Sequence, residues 1–379
     1  MKNRSTMTRA VIIALVAMLL LSFLGLYASA DAYTRAKSTP SVSAKSAVLY
    51  VPDTKQVLYS KSSDERLPMA STTKIMTALV TISECELTDT VKIDERAVGI
   101  EGSSAYLKAG DILSVEELLY ALMLQSANDA AVALAYHIAG GVEEFSELMN
   151  EKALRMGLSD THFTNPHGLD DEEHYTTAAD LAVMASELLS SPTLREIVST
   201  YKKSFVTETR RRTYVNHNKL LLRTDGAIGV KTGFTKRSGR CLVGAAERDG
   251  LTLVTVTLDA PSDWSDHEQM LDYGYSLIER IDLADAGEIR YDIPVINGDG
   301  TSVGVSNIEG VSVIVGRAKH NIERHVRLSR FLCAPIKKGE VLGEVIFTLD
   351  GEYAGTVKLV AENDINIKKT GFFSRLFDK

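Results

Sequence analysis

The sequence predicts an α+β protein, with helices packed on an antiparallel sheet and a small all-β sandwich appended behind them. Three observations carry this. Strand-type apolar runs sit at both ends of residues 37–283 and flank a mostly helical middle, which implies helices laid on an antiparallel sheet. Residues 286–362 hold only short β-type runs broken by turn residues. A chain of 379 residues, less a leader of about 30, exceeds one ordinary core and suggests two domains.

The elements follow in chain order. Lys2, Arg4 and Arg9 precede an uncharged apolar run over 10–26, and Ala28-Ser29-Ala30 is a small-residue cleavage site. Residues 1–30 therefore read as a signal peptide, or as an uncleaved anchor because the run is long. A spacer rich in Ser, Thr, Lys and Pro covers 36–46. A hairpin pattern over 47–51 and 56–59 turns around Pro52-Asp53. Over 72–84, Ile75, Met76, Leu79 and Val80 recur at helical spacing. Ser114 with Glu117 three residues on forms a capping box for a helix through 124. A second helix over 129–138 ends at Gly140-Gly141. Strands over 241–246 and 251–258 join around Arg248-Asp249-Gly250, and a helix over 265–280 closes the first domain. In the second domain, turns fall at Asn297-Gly298-Asp299-Gly300 and Asp350-Gly351. The tail 367–379 places Phe372, Phe373, Leu376 and Phe377 on one helical face with Lys368, Lys369, Arg375 and Lys379 beside them. It reads as a short membrane-surface helix against anionic lipid, or as a disordered tail.

Bulk properties exclude more than they identify. A net charge of −8 argues against a generally basic, nucleic-acid-binding chain, although a local cleft can still be positive. Cys85, Cys241 and Cys333 are few, scattered and odd in number, and Cys241 inside a strand pattern reads as a buried thiol. His162, His167 and His174 lack the spacing of a helical zinc motif and read as loop histidines, so no metal or cofactor is expected.

Chemistry concentrates in three short segments. Ser71-Thr72-Thr73-Lys74 puts a hydroxyl at a helix start with a lysine one turn on, on the same face. A serine is a weak nucleophile and needs a neutral base, and burial or a nearby cation such as Lys231 lowers a lysine pKa. Alone, Ser71 reads equally well as an N-cap beside an exposed lysine. Ser126-Ala127-Asn128 lies between two helices, where Ser126 can relay a proton and Asn128 can bond a substrate amide; either can instead cap the second helix. Lys231-Thr232-Gly233 precedes the strand pair and suits a terminal carboxylate, with Gly233 leaving room for substrate and Arg223 as a second candidate cation. Two decoys share these patterns. Ser199-Thr200-Tyr201-Lys202 falls where a pattern ends, and Lys369-Thr370-Gly371 has no following strand.

The ordered set of Ser-x-x-Lys, Ser-x-Asn and Lys-Thr-Gly resembles that of class A β-lactamases and penicillin-binding proteins. With Pro68-Met69-Ala70, residues 161–169, 216–220 and 225–235, the chain is similar to the low-molecular-weight penicillin-binding proteins, the serine D-alanyl-D-alanine carboxypeptidases. The resemblance implies a penicillin-binding-protein-like catalytic domain with Ser71 as acylated nucleophile and Lys74 as its base. Ser126 and Asn128 would line the cleft, and Lys231 and Thr232 would hold the substrate carboxylate. The backbone N–H groups of Ser71 and Phe234 would form the oxyanion hole. The implied reaction removes the terminal D-alanine from peptidoglycan stem peptides ending in D-Ala-D-Ala, with β-lactams as covalent inhibitors. It would take place at the outer face of the bacterial cytoplasmic membrane. A class A β-lactamase needs a deacylating glutamate on a loop, and the nearest candidate, Glu147-Leu148-Met149-Asn150, lies in a helical pattern. An endopeptidase of the same fold would carry the same motifs, whereas an inactive wall-binding scaffold would have no need of all three intact.

Overall fold

The computed structural model describes residues 37–206 and 211–368. The predicted leader and most of the predicted tail lie outside these residues, as does the Lys369 decoy. Contacts divide the chain into two units, one spanning Ser38–Tyr275 and one running from Ser276 onward. The sequence-based boundary after Leu283 sits one strand too late, because Ile278–Ala284 pairs with Val311–Gly316 and belongs to the second unit. The helix read over 265–280 spans Asp263–Leu277 and gives way at once to that strand.

In the first unit, five antiparallel strands run in the order Gln56–Lys61, Ser46–Val51, Leu251–Leu258, Gly239–Arg248, Ala227–Thr235. The first strand of the unit thus pairs with its last, and the intervening chain packs as helices. Leu251–Leu258 is buried at every position. Thr255 and Thr257 face the helix Asp263–Leu277, where their hydroxyls bond the ring of buried His267 at 2.7 and 2.9 Å. Val254, Val256 and Leu258 point into the main core. The Leu251–Leu258 and Gly239–Arg248 strands are joined at Asp249 and Gly250, both at positive φ, the backbone that Asp-Gly hairpins favour.

The helix Lys74–Glu84 runs through the middle of this core. Its first eight residues are all buried, so it is covered on every side rather than on one face. Its polar side chains are consequently bonded inward: Thr77 Oγ1 donates to the Pro166 carbonyl at 2.6 Å and Thr81 Oγ1 to that of Thr77 at 2.8 Å. Ser114 caps Val115–Leu124 by accepting the Glu117 N–H at 3.1 Å, as the capping pattern predicts. The Glu117 carboxylate instead takes the Tyr214 hydroxyl at 3.2 Å. The next helix, Asn128–Ala139, ends at Gly140 in the left-handed region, at φ 82°.

The second unit is all-β. A six-stranded sheet, ordered Ile322–Leu328, Val341–Leu349, Glu352–Ala361, Ser302–Asn307, Arg290–Ile296, Leu332–Cys333, shares one core with the two-stranded pair noted above. Val303, Val305, Val345, Phe347, Val357 and Leu359 fill that core at alternating positions. Among the described residues, no helix is long and apolar enough to cross a membrane.

Candidate active site

Ser71 is not an N-cap. It sits in a 3-10 turn, Ala70–Thr73, that leads into the Lys74–Glu84 helix. Ala70 holds φ 47°, a conformation an alanine adopts only when its surroundings impose it. Thr73 imposes part of it, its hydroxyl donating to the Ala70 carbonyl at 2.7 Å. Buried His174 lies behind, with Nε2 2.8 Å from Thr73 Oγ1 and Nδ1 accepting the Thr164 N–H at 3.1 Å. That pair of bonds fixes the neutral Nε2–H tautomer. Burial pushes the His174 pKa down to about 4.

Lys74 is wholly buried, and its amine has three partners. Nζ lies 3.0 Å from Ser71 Oγ, 2.7 Å from Asn128 Oδ1 and 2.6 Å from the His167 carbonyl. Asn128 Nδ2 donates to the Glu101 carbonyl at 2.5 Å, which fixes the amide with its oxygen toward the lysine. Burial first, and then the neighbouring Lys231, hold the Lys74 pKa well below its usual value, while Asp129 pulls the other way. A neutral amine has two N–H groups and one lone pair. Asn128 Oδ1 and the His167 carbonyl can only accept, so both N–H groups are committed to them and the lone pair is left for the Ser71 hydroxyl. This arrangement can take the proton of Ser71 as its oxygen attacks a carbonyl.

The strand Ala227–Thr235 forms the opposite wall. Gly233 brings it against the Ser71 turn: a Cβ there would stand 3.1 Å from the Ser71 nitrogen and 3.1 Å from the Met69 carbonyl. A side chain there would crowd the turn, so the glycine suits the packing of strand on turn as well as the room for substrate that the sequence suggests. Lys231 is as buried as Lys74, and its amine contacts Ser126 Oγ and the Thr232 carbonyl, each at 3.0 Å. Burial lowers its pKa to about 7. Ser126 itself stands at φ 59°, which turns its hydroxyl toward the strand. A cleft of about 370 Å³ is lined by Ser71, Ser126, Thr232, Gly233 and Phe234 from the expected segments.

The same cleft contains residues to which the sequence reading gave no role: Ser103, Arg240, Asp263 and Trp264, with His217 and Lys219 from the 216–220 stretch. Arg240 pairs directly opposite Phe234, and so the two side chains share a face of the sheet. The short connection between the two strands fixes that register and carries the signal that points to Arg240. Its Nη2 lies 2.9 Å from buried Asp263, with the guanidinium over the Trp264 ring. The second candidate cation, Arg223, is not in the cleft; it is paired with Glu268 at 3.1 Å. The decoy Ser199 ends the helix Pro192–Ser199 and bonds the Glu196 carbonyl. Glu147 is exposed on the helix Val142–Arg155, while Asn150 on the same helix bonds the backbone of Phe163. The loop histidines divide. His174 and His167 stand behind Lys74 and the Ala70–Thr73 turn, whereas His162 bonds the Glu173 carbonyl at 2.6 Å. Cys241 is buried as expected, with its sulfur 3.7 Å from the Pro68 carbonyl.

Known proteins resemble this chain in sequence and fold. Residues 33–262 match the family described as D-alanyl-D-alanine carboxypeptidase, and residues 279–366 match the C-terminal domain of penicillin-binding protein 5. The chain is 34% identical over 344 residues to the D-alanyl-D-alanine carboxypeptidase DacF of Bacillus subtilis, covering 88% of each. It is 33% identical to the D-alanyl-D-alanine carboxypeptidase DacC of Escherichia coli, covering 94% of this chain and 92% of that one. Among solved structures it is similar to penicillin-binding protein 5 of Haemophilus influenzae, with TM-score 0.63 and 30% identity over 87% of this chain and 99% of that one. It is also similar to the Streptomyces K15 DD-transpeptidase, with TM-score 0.61 and 36% identity over 64% of this chain and all of that one. A family match over more than half the chain and relatives matched along nearly their whole length agree with the cleft geometry, and the chain belongs to the D-alanyl-D-alanine carboxypeptidases, serine peptidases of the low-molecular-weight penicillin-binding proteins.

Proposed function

We propose that this enzyme removes the terminal D-alanine from stem peptides ending in D-Ala-D-Ala through an acyl-enzyme on Ser71, and that β-lactams acylate the same serine. The observation that carries the reading is the set of partners around Lys74 Nζ, two obligate acceptors and the Ser71 hydroxyl. Lys74 takes the proton as Ser71 Oγ attacks the penultimate carbonyl. The N–H groups of Ser71 and Phe234 receive the oxyanion. Ser126, bonded to Lys231, passes a proton to the leaving amine, and water then releases the acyl group. Asn128, buried behind the cleft, holds Lys74, and its second amide N–H is the one left for a substrate amide.

Thr232, backed by Lys231, and the Arg240 guanidinium receive the terminal carboxylate. Arg240→Gln is expected to lower kcat/KM about ten- to hundred-fold more for a peptide with a free carboxylate than for its amidated form, the worth of a charge-assisted hydrogen bond. Lys231→Ala is expected to slow both peptides, because it also removes the partner of Ser126 and a charge that depresses Lys74. Equal losses on the two peptides for Arg240→Gln would remove it from carboxylate recognition.

Product analysis on a pentapeptide ending in D-Ala-D-Ala tests the activity. Release of one free D-alanine is expected. Cleavage of cross-linked dimers in preference would make the protein an endopeptidase, rapid penicillin turnover a β-lactamase, and absence of covalent labelling a scaffold. The leader pattern in 1–30 supports export. The basic, aromatic tail supports docking on the outer face of the cytoplasmic membrane, with the 286–362 domain as a spacer or platform.

A further inference from the structure

Asp129 is 1% exposed and carries a carboxylate that the mechanism above does not use. Its partners are a hydroxyl and a set of backbone N–H groups: Ser104 Oγ at 2.7 Å, Ala105 N at 2.9 Å, Leu107 N at 3.0 Å and Ala130 N at 3.0 Å. Three of those four belong to the segment 101–107. The preceding residue grips the same segment from its other end. Asn128 donates its backbone N–H to the Ser103 carbonyl at 2.7 Å and its side-chain N–H to that of Glu101 at 2.5 Å. The segment is further clamped by Arg212, which donates to the Ala105 carbonyl at 2.9 Å and to Asp111 at 2.6 Å. Between these grips Tyr106 is held at φ 55° with 81% of its surface exposed, a strained backbone that the fixed neighbours on either side maintain. Ser103 from this segment lines the cleft, and Asn128 Oδ1 is one of the two acceptors that orient Lys74.

We propose that Asp129 is a positioning residue for acylation: its buried carboxylate fixes the 101–107 segment against Asn128, and so holds the amide that aims the Lys74 lone pair at Ser71. A charge buried without a lysine or arginine partner is costly, and it is retained here because several donors converge on it. The inference rests on the reading of Ser71 and Lys74 given above. The charged and titratable groups acting on Lys74 are Lys231, which lowers its pKa, and Asp129, which raises it, while the His167 and His174 rings behind it are held neutral by burial.

The test is the pH profile of acylation by a fluorescent penicillin and by a pentapeptide substrate, with Asp129→Asn against wild type. Asparagine keeps the shape but loses the charge and puts an NH₂ against some of the donors. The plateau rate is expected to fall about ten-fold or more, as for loss of a charge-assisted bond. The acid limb is expected to move to lower pH, because the charge that favours protonated Lys74 is gone. Asp266→Asn is the control, since Asp266 is equally buried but bonds Ser43 and Ala44. It should lower the thermal midpoint while leaving the rate and limb in place. Ser104→Ala removes one donor and keeps the charge. It is expected to slow acylation about three-fold with the limb unmoved, and it keeps the inference testable if Asp129→Asn does not fold. Wild-type rate and limb in Asp129→Asn, or wild-type rate in Ser104→Ala, would overturn the positioning role. Labelling that survives in Ser71→Ala would instead overturn the underlying reading.

Discussion

Ser71→Ala is expected to abolish covalent labelling by fluorescent penicillin and to lower pentapeptide hydrolysis by roughly 10⁴- to 10⁶-fold, the scale seen when a nucleophile is removed from a cooperating set. Ser199→Ala is expected to label at the wild-type level. The two serines begin the same four-residue pattern, and they differ in what surrounds them. Ser71 Oγ is 3.0 Å from a buried lysine amine at the edge of a cleft, whereas Ser199 bonds the carbonyl of its own helix end. The alanine variant loses one hydroxyl and no packing volume in the core, so it should unfold near the wild-type temperature. That separates loss of chemistry from loss of structure. Residual labelling of the alanine variant, mapped by peptide mass, would point to another nucleophile and sink the assignment.

Lys74→Arg should be as damaging as Lys74→Ala, at about 10³-fold or more in the acylation rate, within the range of general-base removal. A guanidinium keeps its proton at any working pH and has no lone pair to offer Ser71. The site is also fully buried and shaped for one amine between three partners, so the larger planar head has no room. In the wild type, burial and Lys231 depress the Lys74 pKa. The neutral, active form therefore accumulates as pH rises through that lowered value, and acylation should climb with pH and then level off well below pH 10. Single-turnover acylation followed from acid to mildly alkaline pH measures this directly. An arginine variant that acylates at near wild-type rate would show that Lys74 acts only as a positive charge.

These effects depend on two lysines in one core, and their cost explains the construction around them. Each ammonium would be expensive to bury, so both pKa values fall and the amines are bonded to serines and carbonyls rather than to carboxylates. A carboxylate in direct contact would restore the proton to Lys74 and silence it as a base. Asp129 is kept at one remove, spent on backbone N–H groups, where it shapes the loop while still being felt at the lysine.

Much of this was legible in the chain itself. Local patterning placed the Lys74–Glu84 and Asn128–Ala139 helices, the Asp249-Gly250 hairpin and the Ser114 cap, because each depends on residues within a few positions of one another. The three motifs singled out Ser71, Lys74, Ser126, Asn128, Lys231, Thr232 and Gly233 as candidates because their order and context exceed what chance provides. Tertiary structure decided what depends on burial and on partners far away in the chain. The His167 carbonyl, 93 residues from Lys74, is what turns the lysine lone pair toward the serine. Arg240 entered the cleft, and Arg223 left it for Glu268, through strand register and helix packing that no local pattern encodes. The division near Tyr275 also escaped the sequence, since the helical pattern runs on past Leu277 while pairing with Val311–Gly316 draws the chain into a strand. Spacing along the chain names the groups that can react; the low-dielectric interior that assembles them sets their protonation, and with it which one attacks and which one accepts the proton.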